Sequence, residues 1–312
     1  MTISGKTILV TGGTGQLAGA VARGLVGPNE VIAMARFTLP GTREALEAAG
    51  VRTVYGDFVT QDWGGAPERV DYVFHAAANT RPSSADEGMR DNAEGTGFLM
   101  HRYRDAKAFL HVSATGVYAA NADPHHVFTE DEPLGGMTDF SPQYGVTKIA
   151  GEGVARTMCQ ILGLPTIIGR MNVAYGGPYF DGGLPGRQLD AILADEPIRL
   201  SAPHMPIFQQ PIHEDDITAH VLPMFEAATV PATIINWSGD EPVEIETWVR
   251  HLYRLVGKEP NIIHEERSHA GSWIGDQTRR QALDLHCKVH WKEGMKRMIA
   301  ARRPEVRICE VD

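Results

Sequence analysis

The sequence predicts an α/β protein built on a doubly wound parallel sheet, with a smaller C-terminal lobe carrying part of the binding surface. Three observations carry that prediction. Short Val- and Ile-rich runs alternate with stretches of helical period, as in KTILVTG, QLAGAVARGL, VIAMAR, TREALEAAG and VRTVYGD, which is how strands joined by helical crossovers read. A glycine-rich turn, TGGTGQLA at 11–18, separates the first strand-like run from the first helical one. From about residue 176 the alternation breaks at YGGPYFDGGLPG, where Gly and Pro mark a crossing out of the sheet.

Taken in order, the remaining strands fall at VDYVFHAA, AFLHVSA, PTIIGRMNV and ATIINWSG, with helices near 90–105 and 142–162 between them. The strand near 232–238 is expected to return to the main sheet. Residues 1–175 and 209–240 therefore read as a nucleotide-binding domain, and 176–208 and 241–312 as a substrate-binding lobe. The HEDDI run at 213–217 reads as a helix start, where carboxylates complement the dipole. WKEGMKRMIAARR, near the C-terminal end, reads as an amphipathic helix with a solvated basic face.

Composition narrows the partners. The chain has 312 residues and a net charge of −10, an unfavourable sign for nucleic acid. No segment approaches the roughly 18 apolar residues that span a bilayer. The start, MTISGKTILV, shows no secretory pattern, and Cys159, Cys287 and Cys309 have no CxxC spacing. A cytoplasmic setting is expected. His286 and His290 flank Cys287 at helical spacing in HCKVH, and His125 and His126 adjoin in PHH, but no HExxH or paired CxxC accompanies them, so no metal site is expected.

The glycine-rich turn follows a strand and opens a helix, the context a dinucleotide fingerprint requires. Gly12 permits the tight turn, Gly15 lets backbone approach a pyrophosphate, and Ala18 allows helix to pack on strand. Gln16 and Leu17 then begin a helix whose N-terminus faces the phosphates. The second strand ends in Ala35 and Arg36 with no carboxylate for a ribose hydroxyl. A guanidinium suits a 2′-phosphate, so NADP is expected ahead of NAD. Asp57, with Phe58 beside it at the end of the third strand, is placed near the adenine.

SPQYGVTK puts Tyr144 and Lys148 one helical turn apart. An ammonium beside a phenol favours the phenolate and tunes it for acid/base work. Together with TGGTGQLA, HAAA at 75–78, Asn92 in DNAEGT, VY at 117–118 and PIHEDDI at 211–217, this segment resembles the extended short-chain dehydrogenases, the NAD-dependent epimerase/dehydratase family. The resemblance spans nearly the whole chain. It implies a Rossmann-type fold and a small-molecule substrate, with Tyr144 as acid/base and Lys148 on the nicotinamide ribose. Asn92 would support the proton network, Ala76, Ala77, Ala78, Asn172 and Val173 would lie against the coenzyme, and two subunits would form a homodimer through the helices near 92–104 and 142–160.

The same comparison exposes departures. Four positions before the tyrosine of the VY motif, where the family carries a Ser or Thr, stands Ala114; Ser113 and Thr115 flank it. Thr115 is favoured as substitute and Ser113 as a strand-reinforcing group, because strand side chains alternate between faces. The family's sugar-diphosphate arginines correspond to Gln209 and Trp273, and the usual asparagine of RxxNxYG to Val173, with Asn172 one place early; Arg187 is the candidate replacement cation. An uncharged or partly apolar substrate is expected. The carboxylate pair of the sugar 4,6-dehydratases is absent from ATGVY. The first reading is a dehydrogenase acting on a non-nucleotide substrate, ahead of a sugar or nucleotide-sugar epimerase with retained coenzyme, and then of a non-catalytic coenzyme sensor.

Overall fold

A computed structural model describes residues 3–136, 142–178, 182–266 and 271–311. Seven strands form one sheet: β1 (Thr7–Thr11), β2 (Glu30–Ala35), β3 (Arg52–Tyr55), β4 (Tyr72–His75), β5 (Ala108–Ala114), then Thr166–Met171 and Thr233–Trp237. Every neighbouring pair is parallel. The order is Thr233–Trp237, Thr166–Met171, β5, β4, β1, β2, β3, so the winding reverses between β1 and β4. Open sheets of this kind bind ligands in the crevice outside the carboxyl ends at that reversal.

Burial on both faces explains the unbroken apolar runs of these strands. Ile8, Leu9 and Val10 of β1 are all fully buried. Ile8 and Val10 pack with helix α1 (Gln16–Gly24) on one face, while Leu9 joins Leu99, Ala155 and Cys159 on the other. Past α2 (Thr42–Ala48), the helix expected near 90–105 is built in three pieces. They are α3 (Ala85–Met89), a π-helical turn at Arg90–Glu94, and α4 (Gly95–Arg102). Such π turns recur at functional positions, and this one holds Asn92.

Helix α5 (Pro142–Leu162) covers the second face, on the bounds its sequence implies. The segments 137–141, 179–181 and 267–270 lie outside the described residues, which leaves part of SPQY and of YGGPYFDGGLPG without structural account. The C-terminal lobe has its own core. Helices α6 (Gly183–Leu193), α8 (Ile245–Leu255) and α10 (Trp291–Arg302) surround Trp248, Leu252, Met295 and Met298; α7 (Glu214–Glu226) packs on α1 and the main sheet, and the short α9 (Thr278–Gln281) lies beside the Thr233–Trp237 strand.

HEDDI opens α7 as expected, with the His213 Nδ1 accepting the Asp215 N–H. Asp216 also reaches across the fold, where its carboxylate accepts the backbone N–H groups of Lys288 and Val289 at 2.7 and 3.1 Å. HCKVH is not helical, so the i,i+4 spacing of His286 and His290 is not realised; His290 caps α10 instead. Among the described residues no group of three or more His, Cys, Asp or Glu is placed to hold a metal ion. No described helix is long and apolar enough to cross a membrane.

Candidate active site

A continuous cleft of about 930 Å³ runs along the carboxyl edge of the sheet and into the C-terminal lobe. Its floor begins at the glycine turn. Gly12 has φ +75°, and a Cβ there would stand 2.8 Å from the Ala77 Cα. The position therefore demands glycine twice over, for conformation and for the close approach of β4's extension. Gly15 closes the turn, its N–H donating to the Gly12 carbonyl at 2.8 Å, and no side chain caps α1. The first-turn N–H groups of α1 consequently have no side-chain acceptor, and the buried Gln16 Nε2 also lacks a partner. Gln16 and Leu17 both line the cleft. Unmet donors at a helix N-terminus fit a pyrophosphate.

Arg36, Asp57 and Phe58 line the next stretch, and Ala76, Ala77 and Ala78 line the wall from β4. Arg36 is 66% exposed at its side chain and stands 3.9 Å from the Asp57 carboxylate, an ion pair of little strength at that exposure. The guanidinium is thus available to a ligand at the end of β2. Asp57 also accepts the Val59 N–H at 3.0 Å, which orients its carboxylate.

Tyr144 sits half-buried on α5 and lines the cleft. Burial pushes its phenol up to about 12, so it is a neutral proton donor at pH 7. Lys148, fully buried, points elsewhere: its Nζ donates to the Val112 carbonyl at 2.6 Å and lies 3.5 Å from the His111 Nε2. Burial lowers its ammonium to about 8. The expected drop in the phenol's pKa from a neighbouring ammonium is therefore not what this arrangement produces; burial raises it. Asn92 is likewise behind the wall, accepting from the Asn79 N–H at 2.7 Å and donating to the Asn79 carbonyl and the Thr147 hydroxyl, each at 2.9 Å. It braces α5 against the segment that follows β4.

Behind Lys148 lie two histidines that sequence reasoning did not single out. His75 bonds to the Thr11 and Thr96 hydroxyls at 2.7 and 2.9 Å, and its ring centre is 5.4 Å from that of His111. Burial first, then the Lys148 charge, lowers His75 to about 3. The unfolded chain, with an ordinary value near 6.5, binds this proton first, so stability is lost as pH falls below about 6.5. By pH 5 the loss from His75 is about 2 kcal/mol. Urea unfolding at pH 7 and pH 5 checks this, and a His75→Asn variant is expected to flatten the slope.

The stretch SATGVY now resolves. Ala114 is extended, with φ −143° and ψ 150°, and shows no bulge. Val112, Ser113 and Ala114 all line the cleft, but the Ser113 hydroxyl donates to Glu152 on α5 at 2.6 Å. Ser113 therefore reinforces the strand–helix joint and is not free to serve a substrate oxygen. Thr115 begins a 3-10 turn, Thr115–Val117, and lines the cleft. Of the two hydroxyls flanking Ala114, only that of Thr115 lacks a competing carboxylate partner among the described hydrogen bonds.

Glu152 belongs to a buried network that the sequence signalled only through one charge inside an apolar run, Arg170 in PTIIGRMNV. Arg170 is bidentate to Glu152 at 3.0 and 2.9 Å and donates to the Glu130 carbonyl at 2.9 Å. Its guanidinium lies 4.8 Å above the Tyr118 ring, whose hydroxyl donates to Asn236 at 2.5 Å. The network holds the 114–118 turn from below.

In the outer cleft, Gln209 and Trp273 stand in the wall, both buried. Asn172 lines it too, but its amide is already engaged by the Val173 and Gln210 N–H groups and the Trp273 carbonyl. Val173 presents only methyl groups, and Arg187 lines the cleft from α6.

Residues 8–201 match the NAD dependent epimerase/dehydratase family. The chain belongs to that family. It is 28% identical over 199 residues to a dTDP-glucose 4,6-dehydratase of Neisseria meningitidis, a match covering 56% of this chain and 55% of that protein. A probable dTDP-glucose 4,6-dehydratase of Sinorhizobium fredii is 30% identical over 196 residues, covering 55% of each. The chain thus spans little more than half the length of these relatives. In structure it is similar to the UDP-glucuronic acid 4-epimerase from Bacillus cereus in complex with UDP-glucuronic acid and NAD, with TM-score 0.82, 21% identity and coverage of 96% and 99% of the two chains. The UDP-glucose 4-epimerase from Thermotoga maritima gives 0.81 and 20%, with coverage of 96% and 99%. The Rossmann-type fold with its smaller C-terminal region is that of this family of structures.

Proposed function

We propose that the protein is an NAD(P)-dependent enzyme that moves hydride and proton at a secondary hydroxyl of a sugar, and that it returns the hydride to the same carbon as an epimerase. The placing of Tyr144 in the cleft wall, in one continuous space with the uncapped α1 turn, carries the reading. The family and its named relatives reverse the order read from sequence, favouring a sugar epimerase over a net dehydrogenase. Dehydration is disfavoured, since Thr115 and Gly116 follow Ala114 where that chemistry would want carboxylates.

A nicotinamide coenzyme, held by the backbone of Gly12–Leu17 and by Arg36 and Asp57, supplies the hydride acceptor when bound. Everything else falls to the chain. Tyr144 exchanges the proton at the reacting oxygen, Thr115 orients that oxygen, and Asn92 keeps α5 in register. Lys148 is the cation behind them; drawn toward a ribose it would favour phenolate. We further propose NADP over NAD on Arg36, and a homodimer through α4 and α5, which sedimentation analysis tests.

The deciding experiment is release of nucleotide from purified protein by denaturation. An epimerase that recycles its coenzyme is expected to carry about one equivalent through purification. A protein that copurifies with none, and shows no saturable binding of NAD+ or NADP+ by calorimetry, contradicts the reading. A specific observation supports a dehydrogenase on an uncharged substrate as second reading, namely Gln209 and Trp273 in the outer wall. Net, stoichiometric reduction of added coenzyme would establish it.

The missing hydroxyl at Ala114 gives a further test. Ala114→Ser is expected to raise kcat, by up to about 10²-fold if that hydroxyl supplies an oxyanion contact. Unchanged kcat would show that Thr115 already makes the contact.

A further inference from the structure

We propose that the outer half of the cleft anchors its substrate through an uncharged apolar group, an aryl or alkyl aglycone on the sugar, rather than through a diphosphate. The proposal rests on the reading above for which end of the substrate reacts. Trp273 forms the platform. Its ring centre lies 5.3 Å from that of Phe128, which stacks on Tyr118 at 5.0 Å, and Tyr118 is pinned in turn by Arg170 and Asn236. An indole held by such a column lines the cleft in a fixed position, against which a ring can pack. Met205, Pro206 and Ile207 continue the lining with apolar surface.

Charge in this half argues against an anion. Among the described residues the lining cations of the lobe are Arg187 and Arg199, matched by two lining carboxylates, Glu244 and Glu246. Arg199 is already paired with Glu265 at 2.6 Å, and Glu246 with Arg250 at 2.6 Å and His264 at 2.8 Å. Glu244 stands directly across from Phe208 in the strand pair that carries Gln209. A diphosphate laid here would meet carboxylate as readily as guanidinium, and a desolvated anion without matched donors binds poorly. The amides do not compensate. Gln209 donates to the Gly271 carbonyl at 2.7 Å, and Asn172 is engaged on both its oxygen and its nitrogen.

Calorimetric titration of the coenzyme-loaded protein with phenyl β-D-glucopyranoside, phenyl β-D-galactopyranoside, UDP-glucose and UDP tests the proposal. At least one phenyl glycoside is expected to bind about 10-fold or more tightly than UDP-glucose. Trp273→Ala should remove that preference and Trp273→Tyr retain it, while Gln209→Arg combined with Trp273→Arg should shift affinity toward UDP. Tighter binding of UDP or UDP-glucose overturns the proposal, as does absence of binding by both phenyl glycosides, or a Trp273→Ala variant that folds and keeps the preference. The redox reading fails on different data, namely coenzyme binding and the activity of Tyr144→Phe, so the two are separable.

Discussion

Tyr144→Phe is expected to lower kcat by about 10²- to 10⁴-fold, the range for losing a positioned general acid or base. The substitution removes one oxygen and preserves the ring that fills the cleft wall on α5. Among the described residues no hydrogen bond that shapes the glycine turn uses that oxygen: Gly12 and Gly15 hold the turn by backbone geometry, and Asn92 and Thr147 brace α5 from its buried side. Coenzyme affinity should therefore hold while turnover collapses. The phenol's upward displacement to about 12 adds a sign. The neutral form donates a proton well at neutral pH, so the direction that reduces a carbonyl should suffer no loss of protonated phenol until pH rises toward that value. Stopped-flow measurement of coenzyme absorbance against pH, on wild type and variant, reads both effects. Undiminished turnover in the variant would remove Tyr144 from the chemistry.

The second large effect falls on stability. Arg170→Met is expected to destabilise the protein by about 3–5 kcal/mol, because it strands a buried carboxylate. Glu152 would keep only the Ser113 hydroxyl as a described partner, and Glu130 and Tyr118 would lose the guanidinium that links them. The double variant Arg170→Met with Glu152→Leu should recover most of that loss, since an apolar pair of similar volume can replace a buried ion pair at little net cost. Urea unfolding of the two singles and the double closes the cycle. A single-variant loss below about 1 kcal/mol would mean that water or local relaxation solvates Glu152. Because the same network underlies Ala114–Tyr118, the single variant is also expected to weaken substrate turnover more than coenzyme binding.

Local patterns were legible and distant ones were not. The strand runs, the turn at Gly12–Leu17, α5 with Tyr144 and the return of Thr233–Trp237 to the sheet all follow from periodicity or from motifs spanning a few residues. The HCKVH spacing misled because two histidines four apart share a face only if the segment is helical, and Asp216 holds that segment as a loop through its backbone N–H groups. Strand alternation separated Ser113 from Ala114, yet it could not say that Ser113 would meet Glu152 on α5. Lys148 shows the limit most clearly. Spacing placed it on the same helix face as Tyr144, but its long side chain follows the nearest strong acceptor, the Val112 carbonyl.

By itself, then, the sequence determined the doubly wound sheet, its glycine-rich turn and the family, because these depend on interactions between near neighbours along the chain. Only the tertiary structure decided where the Lys148 ammonium rests, that Ser113 and Arg170 meet on Glu152, and that Gln209, Glu244 and Trp273 share one wall. Those outcomes depend on groups far apart in the chain, such as Tyr118 and Asn236, and burial makes each polar group take whichever partner the packed fold brings within reach.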